Sequence, residues 1–178
     1  MSKGNVRLLG FTDAAHACEI DKKSRSGGIE LLANGPVSST STKQKLKVAI
    51  STNESETYAF SDEIRRSLGL FNLLKAVPVS ERNPSLANLT SKPPLLCVDN
   101  KASFEGGLKN IFTKRQRHID IRYAHINHEI QSGNIESVRV PSGDNLANPK
   151  TKPMGRLSFI KHQETLENGT FFKPPGLY

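Results

Sequence analysis

Phe60, Ile64, Leu68, Phe71 and Leu74 recur at spacings of four, four, three and three within NESETYAFSDEIRRSLGLFNLLK. That period is the buried stripe of a helix. The chain before it keeps a different rhythm. VRLLGFTDA (6–14) is apolar enough for a strand and ends in a lone acid, Asp13. After the polar connection EIDKKSRSGG, GIELLA (28–33) reads as a second strand. Asn34-Gly35 then gives a hairpin signal, because both residues tolerate the positive φ of a type I′ turn. PVSSTSTK is the returning strand.

The helix start is placed by capping. Asn53 reads as the N-cap and Glu56, at N3, completes a capping box, which leaves Glu54 at N1 with no structural task. Beyond the helix, VSERNPSLANLTSKPP is a polar, proline-containing loop. LLCVDN (95–100) reads as a buried strand ending in Asp99. KASFEGGLKN is a helix weakened by Gly106 and Gly107, and KRQRHIDIRYAHINHEI a longer one with Ile119, Tyr123, Ile126 and Ile130 on one face. IESVRV is the last strand and NLANPKTKP opens the last helix. Three strands, helix, strand, helices, strand, helix predict a mixed α/β domain, an antiparallel start with later strands reached through helices. The domain is expected over 1–157, with 158–178 as a C-terminal tail.

A chain of 178 residues has room for one such domain. A net charge of +8 makes a polyanion the most economical partner. No apolar run reaches eighteen residues and no leader pattern opens the chain, so the expectation is a soluble protein inside the cell, cytoplasmic or nuclear, with no membrane partner. Cys18 and Cys97 lack metal-type spacing and suit a reducing compartment, with Cys97 a core residue. The sequons at Asn53, Asn88 and Asn168 are then chance matches.

Asp13, Glu54 and Asp99 occupy comparable points, late in a strand, at a helix start and at a strand end. Converging there, hard oxygen ligands suit Mg²⁺. From spacing alone, three surface acids in strand-end turns is the simpler account. ESVRVPSGDNLANPKTKP adds Asp144, Asn145 and Asn148 within five residues.

Five segments, in order over residues 6 to about 154, resemble the ribonuclease H domain of copia-type LTR-retrotransposon Pol polyproteins. They are FTDAAHA, SRSGGIELLANGPVSSTSTKQ, ISTNESETYAF, LLCVDNKAS and RHIDIRYAHINHEIQSGNIESVRVPSGDNLANPKTKPM. The resemblance implies a ribonuclease H-like mixed five-stranded sheet flanked by helices. It also implies cleavage of the RNA strand of RNA–DNA hybrids with two Mg²⁺ or Mn²⁺ ions. Carried over by motif, Asp13, Glu54 and Asp99 are three of four catalytic acids and the metal ligands, and Asn148 stands where the family has its fourth acid. Losing that charge is expected to raise the barrier by roughly 2–4 kcal/mol, about 10²–10³ in rate. The alternative for Asn148 is structural, an N-cap ahead of Pro149. Two tryptophans of the family are also replaced, at Ala15–His16 and Ser39–Thr40. With Met1 just ahead of the first strand, the expectation is a domain detached from the reverse transcriptase of an intact parent polyprotein.

For substrate, Lys43, Lys45 and Lys47 alternate after the hairpin, and Lys101 follows Asp99 and Asn100. Arg115, His118, Arg122 and His125 share a face of the long helix. Contact with phosphates of a hybrid and a plain solvated face are the two readings of these cations. His125, His128 and Glu129 lack a further ligand and read as structural or exposed. Three functions follow: a hybrid-cleaving endonuclease weakened at Asn148, a non-catalytic RNA- or DNA-binding remnant, and a fragment with no role.

Overall fold

A computed structural model describes residues 7–33, 35–45, 48–77, 90–108 and 117–169, with the side chains of 117–120 set aside. Strand β1 (Leu9–Ala15) pairs antiparallel with β2 (Arg25–Leu32), which pairs antiparallel with β3 (Gly35–Lys43). Helix α1 (Thr52–Ala76) follows, and β4 (Leu95–Val98) returns parallel to β1. Helices α2 (Lys101–Leu108) and α3 (Arg117–Gln131) lead to β5 (Glu136–Arg139), parallel to β4. The sheet order is β3-β2-β1-β4-β5. A 3₁₀ turn (Ser142–Asp144), the short α4 (Asn148–Thr151) and α5 (Arg156–Asn168) complete the described chain.

Strand alternation sends successive side chains to opposite faces. Leu9, Phe11, Leu95 and Cys97 form one buried layer with Ile29, Leu31 and Leu146. Leu96 and Val98 point the other way, against Phe60 and Ile64 of α1 and Ile126 of α3. The stripe read from sequence therefore faces the sheet. The two glycines of α2 mark a close approach: a Cβ on Gly107 would lie 2.5 Å from Ile126 Cγ2.

The hairpin turns one residue earlier than its Asn-Gly pair suggests. Leu32 pairs with Gly35, and Ala33 takes a positive φ of 51°. A register shift follows at Glu30/Leu31. Pro36 sits there on the edge strand, where a missing N–H is tolerated. β2 also begins at Arg25, three residues before the expected start. Residues 156–168, which show no clear period, form α5; its Leu166 packs on the first core layer and His162 is buried. Asn34, Lys47, Arg115 and the His118 side chain lie outside what is described.

One buried acid gives a test of this packing. Glu63 is 1 % exposed, held by Arg66 at 2.5 and 3.0 Å, with its carboxylate against Gly28. Burial pushes its carboxyl up to about 7, against the pull of Arg66. Because the folded group binds its proton more tightly, this contribution is full below about pH 4.5 and is lost as pH rises through about 7. The full span corresponds to about 3 kcal/mol. Glu63→Gln is expected to flatten that part of the profile and raise stability at pH 8 by 1–2 kcal/mol, since half-exposed Arg66 is solvated without it. Urea midpoints at pH 5 and pH 8 check this; an unchanged gap between wild type and variant would refute it.

Candidate functional site

Asp13 and Asp99 lie side by side because two strands run parallel. Thr12 pairs with Val98, so each acid follows a matched position on adjacent strands. By alternation Asp13 continues the Leu9–Phe11 face and Asp99 the Leu95–Cys97 face, which is the same face. The third acid arrives from α1, and it is Glu56. Ligand oxygens of Asp13, Glu56 and Asp99 all lie within 4.8 Å of one another, with Asp13 and Glu56 buried.

The placement of Glu54 and Glu56 is the other way round from expectation: Glu54 takes part in the helix cap and Glu56 lies with the two aspartates. The N-cap is Ser51, whose Oγ accepts from the Glu54 amide at 3.1 Å, while Glu54 Oε2 accepts from the Ile50 amide at 2.7 Å. Glu54 is thus the N3 member of a capping-box-like arrangement. Asn53, expected at the cap, is inside the helix and donates instead to the Tyr123 hydroxyl at 2.8 Å. Two overlapping Ser/Asn-x-x-Glu pairs made either start plausible. The deciding signal was available: Glu56 stands four residues before Phe60 and eight before Ile64, on the row that faces the sheet.

Small residues let the surroundings close on Asp13. Gly27 pairs with Asp13 across the sheet, and a Cβ there would lie 2.6 Å from Thr151 Cγ2. Thr151, seated over that gap, donates its hydroxyl hydrogen to Asp13 Oδ2. Asn145 is fully buried; its Nδ2 donates to the Thr12 carbonyl at 2.8 Å and its Oδ1 accepts from the Ala147 amide at 3.0 Å. It fastens the loop before α4 to β1 next to Asp13.

Asn148 has a different part from the one expected of a helix cap. The cap of α4 is Ala147, so Asn148 is N1 and Pro149 N2. Its Nδ2 donates to the Ser142 carbonyl at 2.6 Å, and its buried Oδ1 has no hydrogen-bond partner among the described residues. Asp144 sits in the 3₁₀ turn, half-buried.

The electrostatics are those of a site short of positive charge. Burial, reinforced by Asp13 and Asp99, pushes Glu56 up to about 9. Burial also raises Asp13, opposed by the Thr151 hydrogen bond and the Lys152 ammonium, with Asp99 adding to the rise. Three converging hard oxygen donors that cannot all ionise unaided fit a divalent cation such as Mg²⁺.

The expected phosphate contacts are divided. Lys43 pairs with Asp21 at 2.8 Å and Lys101 lies 3.6 Å from Glu105, both at the surface. Arg122 reaches Asp62 at 2.6 Å and lies over the Tyr58 ring, 5.0 Å from its centroid. His125 Nδ1 is 3.0 Å from Ser61 Oγ, a helix-to-helix contact in keeping with a structural role.

No protein-family model matches the sequence. Two Arabidopsis thaliana proteins do, the retrovirus-related Pol polyproteins from transposons RE2 and RE1. Each is 30% identical over 161 residues, covering 89% of this chain. The chain is a ribonuclease H-like domain homologous to copia-type retrotransposon Pol polyproteins. It spans about a tenth of the length of those relatives. Solved structures agree on the fold of the ribonuclease H-like domain. It is similar to LC11-RNase H1, isolated from compost by a metagenomic approach, with a TM-score of 0.54, 13% identity and coverage of 82% of this chain and 92% of that one. The RNase H1 of Halobacterium salinarum NRC-1 gives 0.52 at 13% identity, covering 91% and 98%. A foamy viral protease-reverse transcriptase, solved in complex with an RNA/DNA hybrid, gives 0.50 at 13% identity over 84% of this chain and 20% of its own. Among the described residues, no helix is long and apolar enough to cross a membrane.

Proposed function

We propose that the ribonuclease H-like domain is a divalent-metal-dependent endonuclease that cleaves the RNA strand of RNA–DNA hybrids, with Asp13, Glu56 and Asp99 as its metal ligands. The observation that carries this reading is the convergence of those three carboxylates within 4.8 Å. Two bound ions of this class activate a water and stabilise the leaving oxygen of a phosphodiester. The chain's own residues prepare the place. Thr151 fixes Asp13 Oδ2, and Asn145 keeps α4 seated beside β1. Glu56 holds a proton at neutral pH until a cation arrives, so loading the site releases it. Asn148 leaves the site one charge short of the family pattern, which slows the reaction without removing its ligands. Free thiols at Cys18 and Cys97 accord with work inside the cell, cytoplasmic or nuclear. A reverse transcriptase domain in a parent polyprotein is the partner this origin implies.

The test is cleavage of a labelled RNA–DNA hybrid in Mg²⁺ and in Mn²⁺, with Asp99→Asn as control. Cleavage that vanishes in the control is expected. A folded protein that cleaves in neither ion refutes the reading. It then supports a second one, a non-catalytic RNA- or DNA-binding remnant. That reading is favoured by Asn148, whose amide is committed to the Ser142 carbonyl.

A further inference from the structure

Thr151 closes α4, and its side chain does two separable things. Its Cγ2 methyl fills the space that Gly27 leaves on β2, where a Cβ would lie 2.6 Å away. Its hydroxyl donates to Asp13 Oδ2, across 138 positions of sequence. A hydroxyl has one proton to give. The Asn148 carbonyl, three residues back on the same helix, lies 3.1 Å from the same oxygen and is the acceptor a helical threonine ordinarily takes. Here the carboxylate competes for that proton, and it is the charged acceptor. Asp13 is 3% exposed and Thr151 4%, so the contact is made away from bulk water.

The helix that carries Thr151 is itself tied down. Arg25 Nε donates to Glu19 Oε1 at 2.8 Å, Arg25 also donates to Ser41 Oγ at 3.0 Å, and Ser41 donates to the Lys150 carbonyl at 2.6 Å. Just before α4, Asn145 bonds the Thr12 carbonyl of β1. Four residues are too few to hold a helix by their own bonds. Side chains of β2 and β3 and the backbone of β1 therefore decide where Thr151 stands. A hydroxyl placed from three strands sets the plane of the carboxylate it holds.

We propose that Thr151 is a positioning residue of the metal site, its hydroxyl holding the Asp13 carboxylate in the orientation that receives a divalent cation. The inference rests on the reading of Asp13, Glu56 and Asp99 as metal ligands, and its test reads metal binding instead of cleavage. Mn²⁺ alone is titrated into the full chain by calorimetry, well below the melting temperature of each variant in EDTA, so lost stability is not counted as lost affinity. Thr151→Val keeps the methyl over Gly27 and removes the hydroxyl; it is expected to raise the Kd about tenfold. Thr151→Ser loses the methyl and keeps the hydroxyl; it is expected to stay within about twofold of wild type. Gly27→Ala alters no ligand but sets a Cβ against Thr151 and Lys150, and should weaken binding in the same direction as Thr151→Val. Thr165→Val removes a hydroxyl bonded within α5 and leaves the Kd unchanged.

Equal affinity in wild type and Thr151→Val overturns the proposal. So does a loss in Thr151→Ser as large as that in Thr151→Val, which assigns Thr151 to packing alone. Should Thr151→Val not fold, Gly27→Ala decides, with wild-type affinity as the refuting result. A folded wild type that binds no Mn²⁺ overturns both this proposal and the metal-site reading. Binding that Asp99→Asn abolishes and Thr151→Val spares sinks only the proposal.

Discussion

Glu56→Gln is expected to reduce metal-dependent hybrid cleavage by 10³-fold or more, whereas Glu54→Gln is expected to stay within a few-fold of wild type. The two glutamates are two residues apart on one helix, yet only Glu56 reaches Asp13 and Asp99. Stability moves in the opposite direction. The Glu56 carboxyl is raised to about 9 by burial and by its acidic neighbours, so its contribution is full below about pH 4.5 and is lost as pH rises through about 9. A neutral amide avoids that loss. Without divalent ions, Glu56→Gln should therefore be more stable than wild type at pH 8, by an amount of order 3 kcal/mol or more. Mn²⁺ should raise the Tm of the wild type and leave the variant nearly unmoved. Glu54→Gln weakens the acceptor for the Ile50 amide and should cost about 1 kcal/mol. Cleavage lost in Glu54→Gln and kept in Glu56→Gln would return the metal role to Glu54.

Asn148→Asp is expected to raise the cleavage rate by roughly 10²–10³. The gain comes with a structural penalty. The present amide donates to the Ser142 carbonyl at 2.6 Å, and a carboxylate there faces that oxygen without a proton to share. The variant should lose about 1–3 kcal/mol of stability in the absence of metal, a drop of some 5 °C in Tm, and recover much of it in Mn²⁺ as the carboxylate finds a cation. Rates in Mg²⁺ at 25 °C and melting curves with and without Mn²⁺ check both halves. A folded Asn148→Asp protein with no gain in rate would show that the missing charge is not what limits this chain.

Much of this architecture was legible because the periods were clean. The Phe60–Ile64 stripe, the buried LLCV strand and the antiparallel opening correspond to α1, β4 and the β1–β2–β3 ladder. The misreadings sit where two local rules compete. Ser51 and Asn53 each begin a cap-x-x-Glu pair, and nothing local ranks them; only the sheet beneath Phe60 does. At the hairpin, Leu32 pairs with Gly35 and Ala33 takes a positive φ, which no residue-type signal marks. Gly27 and Thr151 were invisible as site residues, since their role is one of fit: absent volume on β2 admits a hydroxyl from a helix more than a hundred residues away. The α5 segment has no apolar rhythm; Leu166 packs on the core and His162 is buried, while most of its side chains are exposed.

The parallel pairing of β1 with β4 has a kinetic consequence. Asp13 and Asp99 are separated by 86 positions of chain, and no local hairpin can bring them together. Antiparallel β1, β2 and β3 can assemble early, from neighbouring sequence, with Asp13 already in place but alone. The repulsion between Asp13 and Asp99 arises only when β4 docks, after a large loop has closed. A nascent chain held short of β4 would fold its first sheet without the conflict between the two aspartates. The final docking step then works against two like charges, so a divalent cation in the refolding buffer should speed that step and leave the earlier ones untouched.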